Sequence, residues 1–184
     1  KHGANMLVKN KNNRTILSTY DFEKDFVKAI TIDKAMLRYL NGRENTKDSP
    51  DENYAREIMQ LFSIGLFQLN EDGTQKLFNG QPIPTYGNAA IIEFAKIFTG
   101  LTWGNAGFVF GKEAPNKESF TQPMQMINFY HEPGEKYLLN GAVVQDRNPV
   151  DGMADINDAI DNLANHPIPP RQRALVAWIQ RLSV

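Results

Sequence analysis

No stretch of this sequence constrains its fold more than Ser49–Gly65, Ser-Pro-Asp-Glu-Asn-Tyr-Ala-Arg-Glu-Ile-Met-Gln-Leu-Phe-Ser-Ile-Gly. Both of its ends carry helix signals. Ser49 offers an N-cap hydroxyl to an orphan N–H of the first turn. Pro50 fits the first helical position, where a missing donor costs nothing, and Glu52 completes a capping box. Gly65 can take the left-handed conformation that ends a helix. Tyr54, Ala55, Ile58, Leu61 and Phe62 recur at helical spacing as one apolar face, with Glu52, Arg56, Gln60 and Ser63 opposite. Asn53 and Glu57 fall on the border. A carboxylate so placed must be paired, hydrogen-bonded or protonated, which makes Glu57 the residue to follow.

The rest of the chain reads as further helices around an irregular middle. Residues 1–20 are basic and Asn-rich and suggest a frayed helix followed by a loop. Phe22, Phe26, Val27 and Ile30 predict a helix over Asp21–Thr31. Asp33 caps the next helix, which Gly42 closes. Residues 66–87, with Asp72-Gly73, Asn79-Gly80, Pro82 and Pro84, predict a hairpin-like insertion. Ile91, Phe94, Ala95 and Phe98 form the stripe of a helix over Asn88–Gly100. From 106 to 145 helix signals vanish, and a small β or loop excursion is expected there. Helix returns at Asp151, with Met153, Ile156, Ile160 and Leu163 inward, and a last helix starts near Pro170. The expected fold is therefore mainly α, one partial domain over 1–184, with the excursion at 106–145.

Composition narrows the function classes. A chain of 184 residues with a formal charge of −1 carries no excess of positive charge for nucleic acid or an anionic membrane surface. No apolar run is long enough to span a bilayer. With no cysteine, disulfides, thiolate nucleophiles and zinc–thiolate sites are excluded. No nucleophile elbow, phosphate-binding loop or dinucleotide fingerprint occurs.

The remaining candidates are few. His2, His131 and His166 do not stand at metal-ligand spacing, so no metal centre or other cofactor is expected. Asn70-Glu71-Asp72-Gly73-Thr74 has clustered oxygens that could hold Ca²⁺, with Asp72 as the metal candidate, but it lacks the spacing and distal Glu of an EF-hand. His131 lies near Glu132 and Lys136 on a loop, where chemistry is usually found. Arg56 can pair with Glu52 one turn earlier, and Asn53 can reach Glu57. Glu57 then needs a partner from elsewhere, for which His131 and Lys136 are the candidates. Contact with His131 would suit a general base and its orienting group; contact with Lys136 would suit a structural ion pair. Glu57, Arg56 and His131 are the candidate catalytic set, with Glu52, Asn53, Tyr54 and Lys136 in a surrounding binding or structural network.

Pro50–Gly65 resembles the signature P-N-E-N-Y-A-R-E-L-M-E-L-F-T-L-G of the bacterial family known as domain of unknown function 1800, with Asp51 in place of the second residue. Asp33–Gly42 is similar to the family's D-P-A-M-L-x-Y-L-D-G, and His131–Gly141 resembles its H-D-x-x-x-K-x-x-L-G element, with Glu132 for Asp. The resemblance implies that the chain is the central part of a longer, exported protein that packs against the remainder of that protein or against a protein partner. Two functions stand beside it. One is a structural or interaction protein working with a partner. The other is an exported, hydrolase-like acid–base enzyme. A closed pocket holding Glu57, Arg56 and His131 would favour the enzyme; dispersal of the three with saturated hydrogen bonds would favour the first.

Overall fold

The computed structural model describes residues 8–9, 15–16, 19–102 and 123–167. Within them lie five α-helices: α1 (Thr19–Thr31), α2 (Lys34–Tyr39), α3 (Asn53–Gln60), α4 (Asn88–Ile97) and α5 (Gly152–Ala164). Four short antiparallel ladders accompany them. These are β1 (Val8–Lys9) with β2 (Thr15–Ile16), β3 (Leu77–Phe78) with β4 (Gln81–Pro82), β5 (Leu101–Thr102) with β6 (Gln125–Met126), and β7 (Lys136–Tyr137) with β8 (Val143–Val144). Helices are the largest elements, but strand pairing is not confined to 106–145, so the architecture is mixed rather than plainly helical. The stretch expected as a frayed helix contains the β1–β2 pairing instead. Trp103 and the helix expected from Pro170 lie outside the described residues.

The core forms where helical periodicity meets burial. Tyr54, Ala55, Ile58 and Met59 of α3 are buried, as are Ile91, Phe94, Ala95 and Ile97 of α4 and Ile156, Ala159, Ile160 and Leu163 of α5. α3 packs on α4, α4 on α5 and α5 on α1. The Tyr54 ring meets Phe98 edge-on, with centroids 4.8 Å apart, an arrangement that suits the quadrupoles of the two rings. The Tyr54 hydroxyl donates to Thr31 Oγ1 at 2.8 Å, and Thr31 donates in turn to Val27 O at 2.7 Å. The Tyr54 network thus binds α3 to α1.

Two helix starts contrast instructively. Asp33 caps α2 as its sequence suggests, its carboxylate accepting from Met36 N at 2.9 Å. Ser49 caps nothing. Its N–H is spent on Thr46 O at 3.0 Å, within a Thr46–Ser49 bridge. Asn45 Oδ1 accepts from Asp51 N, and Asp51 Oδ1 accepts from Asn53 N, so α3 starts three residues late. The non-local pull of the buried Asn45 side chain overrides the local capping box. The helix also stops early, at Gln60, and Leu61 leaves the inward face with 44% of its surface exposed. Ser63 and Ile64 are buried beyond it, and Gly65, at φ +77°, donates to Met59 O. Asp33→Ala is therefore expected to cost about 1 kcal/mol of stability, while Ser49→Ala should stay within about 0.5 kcal/mol. Urea denaturation of the two variants checks this, and equal losses would contradict the observed caps.

Residues 66–85 fold back on themselves. Phe67 bridges Pro84, Leu69 bridges Gln75, and β3 turns into β4 through Asn79 and Gly80, both at positive φ. Two consecutive left-handed residues match the twist of a tight hairpin, which is why Asn-Gly serves there.

Candidate functional site

Three ionisable side chains meet under the surface between α4, α5 and the segment 131–147. The chain reaches this place through Gly100. At φ +87° it turns the end of α4 into β5, and its carbonyl accepts from Ile127 N at 2.8 Å. A Cβ at Gly100 would stand 2.9 Å from Ile127 O and 3.0 Å from His131 N, so only glycine allows that close approach. His131 follows a short 3-10 turn, Asn128–Tyr130. Lys136 and Tyr137 then alternate along β7: Lys136, beside Val144, points inward, while Tyr137, beside Val143, points out. Asp155 comes from the first turn of α5, which Asp151 caps by accepting from Ala154 N. Gly152 lets α5 approach closely, since a Cβ there would fall 2.8 Å from His131 Cγ.

The contacts are dense. His131 Nδ1 donates to Thr99 O at 3.0 Å, and Nε2 lies 3.0 Å from Asp155 Oδ2. Lys136 Nζ donates to the same Oδ2 at 2.6 Å and stands 3.4 Å from His131 Nε2. Arg147 holds the other oxygen, Asp155 Oδ1, and reaches Asp158 Oδ2 at 2.5 Å. Thr99 Oγ1 accepts from Glu132 N at 2.8 Å and donates to Lys96 O, which fixes the loop beside the ring. The His131 side chain is fully covered, and those of Lys136 and Asp155 are 2% and 4% exposed. Arg147 and Asp158, at 29% and 47% side-chain exposure, extend the cluster toward solvent.

Burial raises the proton affinity of the Asp155 carboxyl, but hydrogen bonds and charges from His131 and Lys136 outweigh it, and the group titrates below its usual value of 3.8. A carboxyl whose folded value lies under its unfolded one contributes stability above the unfolded value and loses it as pH falls through the folded one. Wild-type stability is thus expected to drop on acidification below about pH 4, and Asp155→Asn should flatten that limb. Urea midpoints measured across pH check it; parallel curves would exclude Asp155 as a source of the slope.

The structure joins His131 to Lys136 but brings neither to Glu57; Asp155 of α5 takes that place. Arg56 donates to Glu52 Oε2 at 2.5 Å, the pairing its spacing suggests, and also to Asn88 Oδ1 at 3.2 Å. Asn53 is exposed, and its contact is through the backbone to Asp51. Glu57 is half-buried, and among the described residues no donor or cation reaches its carboxylate. Its neighbour is Tyr86, whose phenol is pushed up by burial and by the Glu57 charge and pulled down by Arg56. Tyr54 belongs to the core. Asp72 spends its carboxylate on Thr74, accepting from N at 2.9 Å and from Oγ1 at 2.6 Å. Among the described residues no group of three or more His, Asp or Glu side chains could hold a metal ion.

Asp155, Arg147 and Gly152 escaped sequence reasoning, and Gly100 is legible there only as the stop of its helix, not as the point of close approach to His131. One signal was present for Asp155: its helical neighbours Gly152, Ile156 and Ala159 are small or apolar, which marks a carboxylate on the buried face.

A family described as "Protein of unknown function (DUF1800)" matches residues 4–173. No curated protein and no solved structure matches the chain. Among the described residues no helix is long and apolar enough to cross a membrane.

Proposed function

The chain belongs to the DUF1800 family, and on that premise we propose that it serves as a structural or interaction protein, exported and working with a protein partner. One observation carries this reading. The only buried cluster of ionisable groups among the described residues is saturated: both ring nitrogens of His131, both oxygens of Asp155 and the Lys136 ammonium are engaged. Catalysis by proton transfer needs a group within reach of a substrate. The His131 side chain has no exposed surface, and Glu57 and Arg56 stand elsewhere. Buried, fully paired charges of this kind fix geometry, here by holding segment 131–147 against α4 and α5. The family resemblance supports export and the presence of further chain or a partner.

The test uses the full-length protein against ester, amide, phosphate-ester and glycoside substrates. The proposal expects no turnover above blank. Turnover abolished by Glu57→Gln or His131→Gln, in variants that melt like wild type, would overturn it.

A further inference from the structure

We propose that the surface formed by Glu57, Leu61, Leu66 and Tyr86 is a docking site for a basic, apolar segment of a partner protein, with a lysine or arginine of that segment on Glu57; this rests on the interaction reading above. Backbone hydrogen bonds and the packing of residues 86–88 on α3 tie the four residues together in pairs. Leu61 N donates to Glu57 O at 2.8 Å, one turn along α3. Thr85 N donates to Leu66 O at 2.9 Å, which sets Tyr86 next to Leu66. Arg56 donates to Asn88 Oδ1 at 3.2 Å, which brings the segment carrying Tyr86 to α3, and the Glu57 charge acts on the Tyr86 phenol.

Two features make the surface incomplete. Leu61 and Leu66, five positions apart on the two sides of the turn that ends α3, expose 44% and 41% of their area, apolar surface that a partner would cover. Beside them, the half-buried Glu57 carboxylate is reached by no cation or donor among the described residues, although partial burial penalises an unpaired charge. Arg56, the nearest guanidinium, is taken by Glu52 and Asn88. Because Glu52 takes the Arg56 guanidinium, the Glu57 charge is left uncompensated among the described residues. Charge complementarity therefore selects a cationic group, and the two leucines select aliphatic residues next to it.

The probe is acetyl-leucyl-arginyl-leucine amide, titrated into the full-length protein by NMR. The control is the same peptide with citrulline, which keeps shape and removes charge. Saturable shifts at Leu61, Leu66 and Tyr86 are expected, with affinity about tenfold weaker for citrulline and for Glu57→Gln, the loss typical of a charge-assisted contact. Glu57→Gln should melt like wild type, because among the described residues nothing is paired to this carboxylate. Absence of saturable shifts at these residues, or equal affinity for the arginine and citrulline peptides, would overturn the inference. Peptide binding at another face would also overturn it while leaving the interaction reading in place; substrate turnover, by contrast, would remove that reading without touching the patch.

Discussion

Asp155→Ala is expected to lower the unfolding free energy by about 3–5 kcal/mol, the cost of breaking a buried ion pair from one side. Among the described residues the carboxylate is the only anion touching Lys136 and His131, so its removal leaves an ammonium facing an imidazole 3.4 Å away with no compensating charge. Arg147 loses its inner partner at the same time and keeps Asp158. Lys136→Met should cost less, because Arg147 and His131 remain on Asp155. Equilibrium urea unfolding of both variants measures the difference. A loss below about 1 kcal/mol for Asp155→Ala would place it with surface ion pairs and remove the cluster from the account of stability.

Gly100→Ala carries the second large effect. A left-handed conformation costs an L-residue about 1–2 kcal/mol, and overpacking adds about 1–3 kcal/mol, so a total near 2–5 kcal/mol is expected. The obstruction cannot swing aside, since two of the three atoms in the way, Ile127 O and His131 N, belong to the backbone. Gly141→Ala isolates the first contribution. That glycine also has positive φ, +73°, but nothing stands within 4 Å of a Cβ placed there. Thermal unfolding should put Gly100→Ala clearly below Gly141→Ala; equal midpoints would mean that the loop carrying His131 can shift without cost.

What was legible in the sequence was local. Asp33 and Asp151 cap their helices because each cap is satisfied within three residues, by Met36 N and Ala154 N. The stripe Ile91, Phe94, Ala95 and Phe98 reports burial because one helix face meets one core. Ser49 failed for the opposite reason. Its capping box competes with Asn45, which binds Asp51 N through Oδ1 and Ala95 O through Nδ2, a contact fifty positions along the chain. Periodicity carries no trace of that contact. The site divides in the same way. His131 and Lys136 could be singled out from a loop motif, whereas their common partner, Asp155, sits twenty-four positions from the histidine in a helix read only for its apolar stripe. Glu57 is half-buried, as a border carboxylate should be, but its neighbour is Tyr86 rather than the histidine.

The central claim is that the His131–Lys136–Asp155 cluster is a closed structural clasp. Carbethoxylation of His131 in the full-length native protein, followed by mass spectrometry across a series of urea concentrations below the transition, tests it most directly. A ring with both nitrogens engaged and no exposed surface should react only through unfolding, so its modification rate should follow the unfolding equilibrium and rise with urea. A rate close to that of free imidazole, independent of urea, would show a ring open to solvent and would contradict the clasp.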